Sequence, residues 1–409
     1  MPLPGGEAAP AAGRPSAQAV HRTAPRRRGF ETHPRAEEAS ERRPPSTLTA
    51  LELLGLYAAV RVVLLVADAL AAHTSYAGAL GGPLRSWDSH FYLGIAAHGY
   101  PAAPVHVGGR LVYSPAGFEP VFPVLIRFVA LTGLPLTGAA VMVSSVSGAV
   151  ATLLVWRLGT AVRGDAVGFR AAVLFTVFPG MGVAWGLLYA ECAGLALAAG
   201  SLLLMVRRRW VWAGVVGAAA TATSPLALPL TVAAAVAAVA AIRRRERPSA
   251  LLAVVLVPAG FGAFALWLGL RYHDLLFWWH LQHQAWGADV DFGKSLVLGL
   301  VHFWRPGYQG PGWLEWIGLA LVAGMVLALW RAKLPALVNG YCAGLFLLLL
   351  AGNELGFKPR LLTWAFPTLV ALAAALGRRS WLVVVVAFAG LLPLVFLVYS
   401  TLGNVVAQP

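Results

Sequence analysis

The 409-residue chain is 59% apolar and 12% charged, about half the charged share of a soluble globular protein, which excludes a water-soluble fold. That length accommodates roughly ten spans of ~20 residues, so the composition describes an all-α polytopic membrane protein whose backbone satisfies itself in lipid. The net charge of +14 comes from 31 basic and 17 acidic residues. Its arginines fall in short clusters between apolar runs, a pattern that orients spans and argues against nucleic acid as a partner.

Residues 1–47 are rich in Pro, Ala, Arg and Glu and lack apolar periodicity. They are expected to be a disordered, basic, cytosolic tail, because they cannot bury enough surface to offset the entropy of ordering. The run Arg26 to Arg28 suits anionic headgroups, although orienting the chain is its plainer role. No secretory signal precedes the first long apolar run, which is therefore expected to stay as an anchor. Cys192 and Cys342 are isolated within apolar sequence, so neither a disulfide framework nor a cysteine metal cluster is expected.

Residues 48–409 form the membrane domain. A first span at 51–71 leads into a long first outer loop, 72–117. The weak apolar run 118–132 contains Pro120 and Pro123 and carries Arg127 at its centre, so it is expected to lie half-buried at the outer interface rather than cross. Further runs follow at 136–156, 171–188 and 189–206. Between Arg209 and Arg243 lie 33 uncharged residues with basic ends. A single helix would run about 50 Å and strand one basic cluster outside, so two short helices turning at Ser224 and Pro225 are predicted.

The chain then crosses at 249–270, makes a second large outer loop at 271–312, and continues through runs at 313–330, 335–351, 361–377 and 381–402. This gives about eleven membrane helices, the short re-entrant pair included. The clusters at Arg157, Arg163 and Arg170, at Arg207 to Arg209, at Arg243 to Arg247, at Arg331 and Lys333, and at Arg378 and Arg379 are expected to be cytoplasmic, as is the N-terminus. Asp88, Glu119, Glu191, Asp274, Asp289, Asp291, Glu315 and Glu354 then gather on the outer side of the plasma membrane.

Long loops carry function out of proportion to their share of the chain. In the first outer loop Asp88 stands beside Trp87, and such a carboxylate can take a proton from a sugar hydroxyl while the indole packs on the sugar's apolar face. An interfacial Trp beside a solvated Asp is the bland alternative. Glu191 lies near the outer end of an apolar run, where an ionised carboxylate is costly unless paired or facing water. Lys358 and Arg360 open a span and could hold a phosphodiester, or simply snorkel. Trp278 and Trp279 suit an interfacial belt, whereas Gln284 is the better substrate candidate. His280 and His283, with Asp274, Asp289 and Asp291 nearby, could in principle ligate a divalent metal.

The string from Trp87 to Tyr100, WDSHFYLGIAAHGY, resembles the first luminal loop of the PIG-V family, the GPI mannosyltransferase 2 enzymes and their bacterial relatives. Trp87, Asp88, Ile95, Ala96, Gly99 and Tyr100 carry the likeness. It continues at Phe118 to Pro123 and at Tyr189 to Glu191, and extends weakly to His283 to Trp286 and to Lys358 to Arg360. Glu119 stands where Phe is usual, Ala190 and Cys192 replace hydroxyl residues, and His90 sits one place before the position of a family His.

The resemblance implies a GT-C-like glycosyltransferase that takes mannose from a polyprenyl-phosphate carrier and passes it to a glycan, glycolipid or protein acceptor on the outer face. Asp88 is then the expected base. Trp87, His90, Tyr100, Glu119, Tyr189, Glu191, Gln284, Trp286, Lys358 and Arg360 are the expected substrate-binding residues. Metal-independent transfer without a resident cofactor is implied. A transferase for another sugar, a transporter and a non-catalytic scaffold remain the alternatives.

Overall fold

The computed structural model describes residues 47–71, 88–246, 249–302, 312–353 and 359–400. The tail through residue 46, Trp87, Glu354 and Lys358 lie outside the described residues, as do 72–87 of the first loop and 303–311 of the second. In chain order the helices are α1 (Thr47–Ala71), α2 (Ser89–His98), α3 (Val121–Ala130), α4 (Leu136–Arg163), α5 (Asp165–Val177), α6 (Pro179–Gly186), α7 (Glu191–Val206), α8 (Trp210–Thr221) and α9 (Pro229–Arg243). They continue as α10 (Ala250–Tyr272), α11 (Phe277–Trp286), α12 (Lys294–His302), α13 (Gly312–Ala332), α14 (Ala336–Ala351), α15 (Pro359–Leu362), α16 (Pro367–Leu376) and α17 (Ser380–Ser400).

Among the described residues, five segments are long and apolar enough to cross a membrane: Leu48–Ala67, Leu136–Arg163, Pro225–Arg243, Ala250–Tyr272 and Pro367–Gly390. The pair α5 and α6 makes a sixth if its 55° bend falls within one crossing. Further apolar helices of 10–17 described residues are Val121–Ala130, Glu191–Val206, Trp210–Thr221, Gly318–Ala332 and Ala336–Ala351. The run expected as one span at 171–188 bends at Pro179, where the ring denies the helix a hydrogen bond. The run expected at 361–377 opens as the single turn α15 and a 3-10 turn at Thr363–Ala365 before α16 begins.

The predicted turn at Ser224 and Pro225 is present. Ser224 caps a 3-10 turn at Pro225–Ala227 by accepting from the Leu226 N–H at 3.3 Å, and α8 and α9 flank it. Trp210 at the start of α8 packs with Ala237 and Ala238 near the end of α9 and with Ala250, so the two helices run in opposite directions. Arg208 and Glu246, just beyond those ends, are paired at 3.2 Å.

Helix contacts are made through small residues, as helices in lipid require. Gly159 of α4 lies against Gly168 of α5, and Gly260 of α10 lies against the Ala218 carbonyl of α8. The Thr221 hydroxyl enters the α10 ladder next to Pro258, donating to the Val257 carbonyl at 2.7 Å and accepting from the Phe261 N–H at 3.2 Å. Insertion of a side chain into the ladder is one identifiable cause of helix bending.

Basic clusters meet at one end of the bundle. Arg163 donates to the Lys333 carbonyl at 2.8 Å, and Phe169, next to Arg170, lies edge-on to Trp381, two residues past Arg379. The sixteen residues of α7 separate Arg207 from Glu191, a rise of about 24 Å, so Glu191 belongs to the opposite end.

The described part of the first outer loop, residues 88–117, carries a helix and a hairpin. Ser89, Tyr92, Leu93, Ile95 and Ala96 are buried, a spacing that gives α2 one apolar face. Gly99 ends α2 at φ 75°, in the left-handed region that glycine enters without penalty. A hairpin of β1 (His106–Val107) and β2 (Arg110–Leu111) follows. The helix α3 buries Phe122, Pro123 and Ile126 while leaving Val124, Phe128 and Leu131 exposed, the half-buried arrangement its sequence predicts.

Candidate active site

Helix α6 ends in a tight reversal in which Leu188 takes a left-handed conformation at φ 51° and the Tyr189 N–H donates to the Ala184 carbonyl at 3.3 Å. A left-handed leucine is strained, and the surrounding packing must hold it. The reversal brings Tyr189 and Glu191 to the head of α7. The N-terminus of α2 docks on the same turn: the Ser89 hydroxyl donates to the Leu187 carbonyl, and the Asp88 N–H donates to the Tyr189 hydroxyl at 3.4 Å. Asp88 therefore sits at the N-terminal end of α2, where the helix dipole favours negative charge.

Arg360 arrives from α15. Its Nη1 lies 3.1 Å from Glu191 Oε1, and its guanidinium carbon lies 4.8 Å from the Tyr189 ring centre. Two packing contacts fix that approach. The Tyr341 hydroxyl donates to the Trp364 carbonyl at 2.9 Å, and the Trp364 ring presses on Gly194, where a Cβ would come within 2.5 Å of it. Among the described residues the Arg360 Nε completes no hydrogen bond. Asp88, Tyr189, Glu191 and Arg360 thus form one contiguous group assembled from three separate parts of the chain.

Sequence reasoning missed Tyr92. Its ring lies 6.4 Å from that of Tyr189, and burial, followed by the charges of Glu191, Asp88 and Glu119, pushes its phenol well above the usual range. The signal for Tyr92 was its place one turn after Asp88, on the buried face of α2.

Glu119 is buried, at 4% exposure, and burial raises its carboxyl to about 8. Tyr100, also pushed up by burial, donates to the Phe118 carbonyl at 2.7 Å and packs on Phe264 and Trp267. Gln284 accepts from the Leu111 N–H at 2.8 Å and so ties β2 to α11. Trp286 packs edge-on against Phe91, Tyr113 and Phe118 and covers Gly117, where a Cβ would come within 2.8 Å of the indole. These residues join the first loop to α10 and α11. His90 is exposed on α2, with its ring 3.9 Å from that of Phe91.

His280 and His283 do not converge on a shared point. Each takes its own carboxylate, Asp274 at 2.6 Å and Asp289 at 2.8 Å, and among the described residues no three His, Cys, Asp or Glu groups gather as a metal site. Cys192 and Cys342 are buried free thiols. Arg61 is buried in α1 with its guanidinium over the rings of Tyr57 and Trp185, at 4.6 and 5.5 Å from their centres.

No protein-family model matches the sequence, and no curated protein does. Solved structures do match by fold. ArnT from Cupriavidus metallidurans bound to undecaprenyl phosphate aligns with a TM-score of 0.52 at 17% identity, over 82% of this chain and 63% of ArnT. The apo state of the same ArnT gives 0.49 at 17% identity, over 82% and 62%. The Archaeoglobus fulgidus oligosaccharyltransferase in the apo form gives 0.47 at 14% identity, over 85% and 56%. The chain spans less than two thirds of the length of each. On the ArnT alignment and the helical architecture, the chain has the fold of the GT-C polytopic membrane glycosyltransferases.

Proposed function

We propose that the protein is a PIG-V-like mannosyltransferase that moves mannose from polyprenyl-phosphate mannose to a hydroxyl-bearing acceptor on the extracytoplasmic side of the plasma membrane. The observation that carries this reading is the group formed by Asp88, Tyr189, Glu191 and Arg360 at the bundle end remote from the basic clusters. Clusters of Lys and Arg mark cytoplasmic ends, so the group would face outward, with the N-terminus inside. ArnT, which shares the fold, was captured with undecaprenyl phosphate, a carrier of the proposed class.

In the proposed step the Asp88 carboxylate takes the proton of the acceptor hydroxyl. The freed oxygen forms a bond to the anomeric carbon from the face opposite the carrier, the bond from that carbon to the phosphate oxygen breaks, and the electron pair leaves with the polyprenyl phosphate. Configuration inverts. Arg360 stands where the leaving charge grows, and its free Nε is a donor for a phosphate oxygen. Glu191 keeps the guanidinium oriented and its charge balanced before substrate arrives. Lys358, two residues before Arg360, is proposed as a second cation for the same phosphate, and Trp87 as a ring for the sugar. No resident metal or cofactor enters this scheme.

The test is transfer of labelled mannose from polyprenyl-phosphate mannose by the purified full-length protein and its Asp88→Asn variant. The variant is expected to lose about a hundredfold or more in turnover at an unchanged melting temperature. Near-normal turnover by Asp88→Asn removes the base assignment, and wild-type preference for a glucose or arabinose donor removes the mannose assignment.

A further inference from the structure

The last turn of α2 and the first turns of α3 border an open cavity of about 410 Å³, a size that holds a small ligand or a lipid headgroup. Ile95, Ala96, Tyr100, Pro123 and Val124 give it an apolar wall. Arg127 is the one fixed charge on it, and among the described residues no Asp or Glu lines it. The cavity is separate from the Asp88 group, because Asp88 stands at one end of α2 and the cavity at the other. The ten residues of α2 rise about 15 Å between them.

One nitrogen alone holds Arg127 in place. Its Nη1 donates to the Ala96 and Ala97 carbonyls at 2.8 and 3.0 Å, which fixes the planar group, while Nε and Nη2 make no hydrogen bond among the described residues. The Nε–Nη2 edge is the pair of parallel donors that matches a phosphate. The same guanidinium takes up the carbonyls that would otherwise repel an anion from this end of α2. Its surroundings then say what kind of anion fits. Val124, Leu125, Phe128 and Leu131 are exposed, so the open face of α3 is apolar but for Arg127, and such a face suits acyl chains rather than water. A zwitterionic headgroup would bring a cation into a cavity without a carboxylate to receive it. The carrier phosphate of the proposed transfer step has its own cation in Arg360, which is tied to Glu191.

We propose that the cavity between α2 and α3 binds an anionic phospholipid, whose headgroup phosphate lies on the Nε–Nη2 edge of Arg127 and whose acyl chains lie on Val124, Phe128 and Leu131. The bound lipid braces the guanidinium that holds the last turn of α2. The lipid composition of the membrane thereby reaches the helix that carries Asp88 at its other end.

The experiment uses the full-length protein in phosphatidylcholine nanodiscs that contain phosphatidylglycerol with a diazirine in its headgroup. After irradiation the label is mapped by peptide and is expected to concentrate in residues 95–131. Adding unlabelled phosphatidylglycerol should displace it. Val124→Glu puts a carboxylate one turn from Arg127, where it occupies the free edge, and is expected to cut the labelling about fivefold or more. Val124→Gln makes the same change without the charge and is expected to stay within about twofold of wild type. Val124 is exposed, so both variants should melt like wild type.

Undiminished labelling of Val124→Glu, or label spread evenly over the lipid-facing helices of wild type, overturns the site. Two competitors test the source of the phosphate. Displacement by inorganic phosphate as readily as by phosphatidylglycerol would make the ligand a soluble anion, and stronger displacement by polyprenyl phosphate would give the cavity to the carrier. Either result overturns the phospholipid. No sugar donor or acceptor is present, so the outcome does not depend on whether the protein transfers mannose.

Discussion

Glu191 and Arg360 sit on helices distant in sequence and meet at 3.1 Å, with side chains 8% and 18% exposed. Removing one partner of a buried pair leaves the other charge uncompensated, at a cost of about 3–5 kcal/mol, whereas replacing both by apolar side chains is often close to neutral. Glu191→Ala and Arg360→Ala are each expected to lower thermal stability in detergent by that amount. A double Glu191→Leu, Arg360→Met variant is expected to recover most of it while remaining inactive. Single variants that melt like wild type would show that the pair does not hold α15 on α7.

Arg127 is a cation in the middle of an apolar helix, and its Nη1 donates to the Ala96 and Ala97 carbonyls at 2.8 and 3.0 Å. Those carbonyls belong to the last turn of α2, whose other end carries Asp88. Loss of such charged hydrogen bonds costs about 1.5–3 kcal/mol. Arg127→Ala is expected to lower kcat with little change in either KM, because Asp88 loses its anchor while the binding groups remain. Arg127→Lys should restore part of the rate. Steady-state kinetics with both substrates varied checks the split.

Gly159 and Gly262 predict opposite outcomes for the same substitution. Alanine in a helix is ordinarily better than glycine by roughly 1 kcal/mol. A Cβ on Gly159 would lie 2.6 Å from the Gly168 Cα, a backbone atom that cannot rotate away. Gly159→Ala is therefore expected to destabilise by about 1–3 kcal/mol, and Gly262→Ala, with nothing within 4 Å, to be neutral or slightly stabilising. Melting curves of the two variants in one detergent decide it.

Glu119 gives stability a pH dependence of definite sign. Its carboxyl is raised from 4.5 to about 8 by burial, so between those values the folded protein keeps a proton that the unfolded chain has released. Stability contributed by this group is fully present below about 4.5, declines as pH rises through that window, and is lost above about 8. The difference in melting temperature between wild type and Glu119→Gln should grow from pH 5 to pH 8.5. A constant difference would mean that Glu119 is ionised throughout.

Much of the scaffold is legible in the chain itself. The ends of α10, α14 and α17 follow the apolar runs within a few residues, Ser224 and Pro225 mark a reversal that is present, and Arg127 with Pro120 and Pro123 marks a helix too short and too charged to cross. Proline chemistry and apolar run length are local, so the sequence reports them directly. The 55° bend at Pro179 was harder to read, because the flanking residues are uniformly apolar and the run looks continuous. Tyr92 was passed over because an aromatic ring near a membrane surface is ordinarily part of the interfacial belt, and nothing local distinguishes one that is buried beside a charged group.

What the sequence determined, then, is an all-helical membrane chain whose apolar runs are punctuated by basic clusters. What the tertiary structure decided is which acids meet which bases. Asp88, Glu191 and Arg360 converge because α2 docks on the α6 to α7 turn and α15 is pressed onto α7 through Trp364 and Gly194. The separation of the partners along the chain carries no information about that contact. Helices in lipid choose neighbours through close approach of small residues and the few polar groups that must be satisfied, and both are properties of paired surfaces rather than of either surface alone.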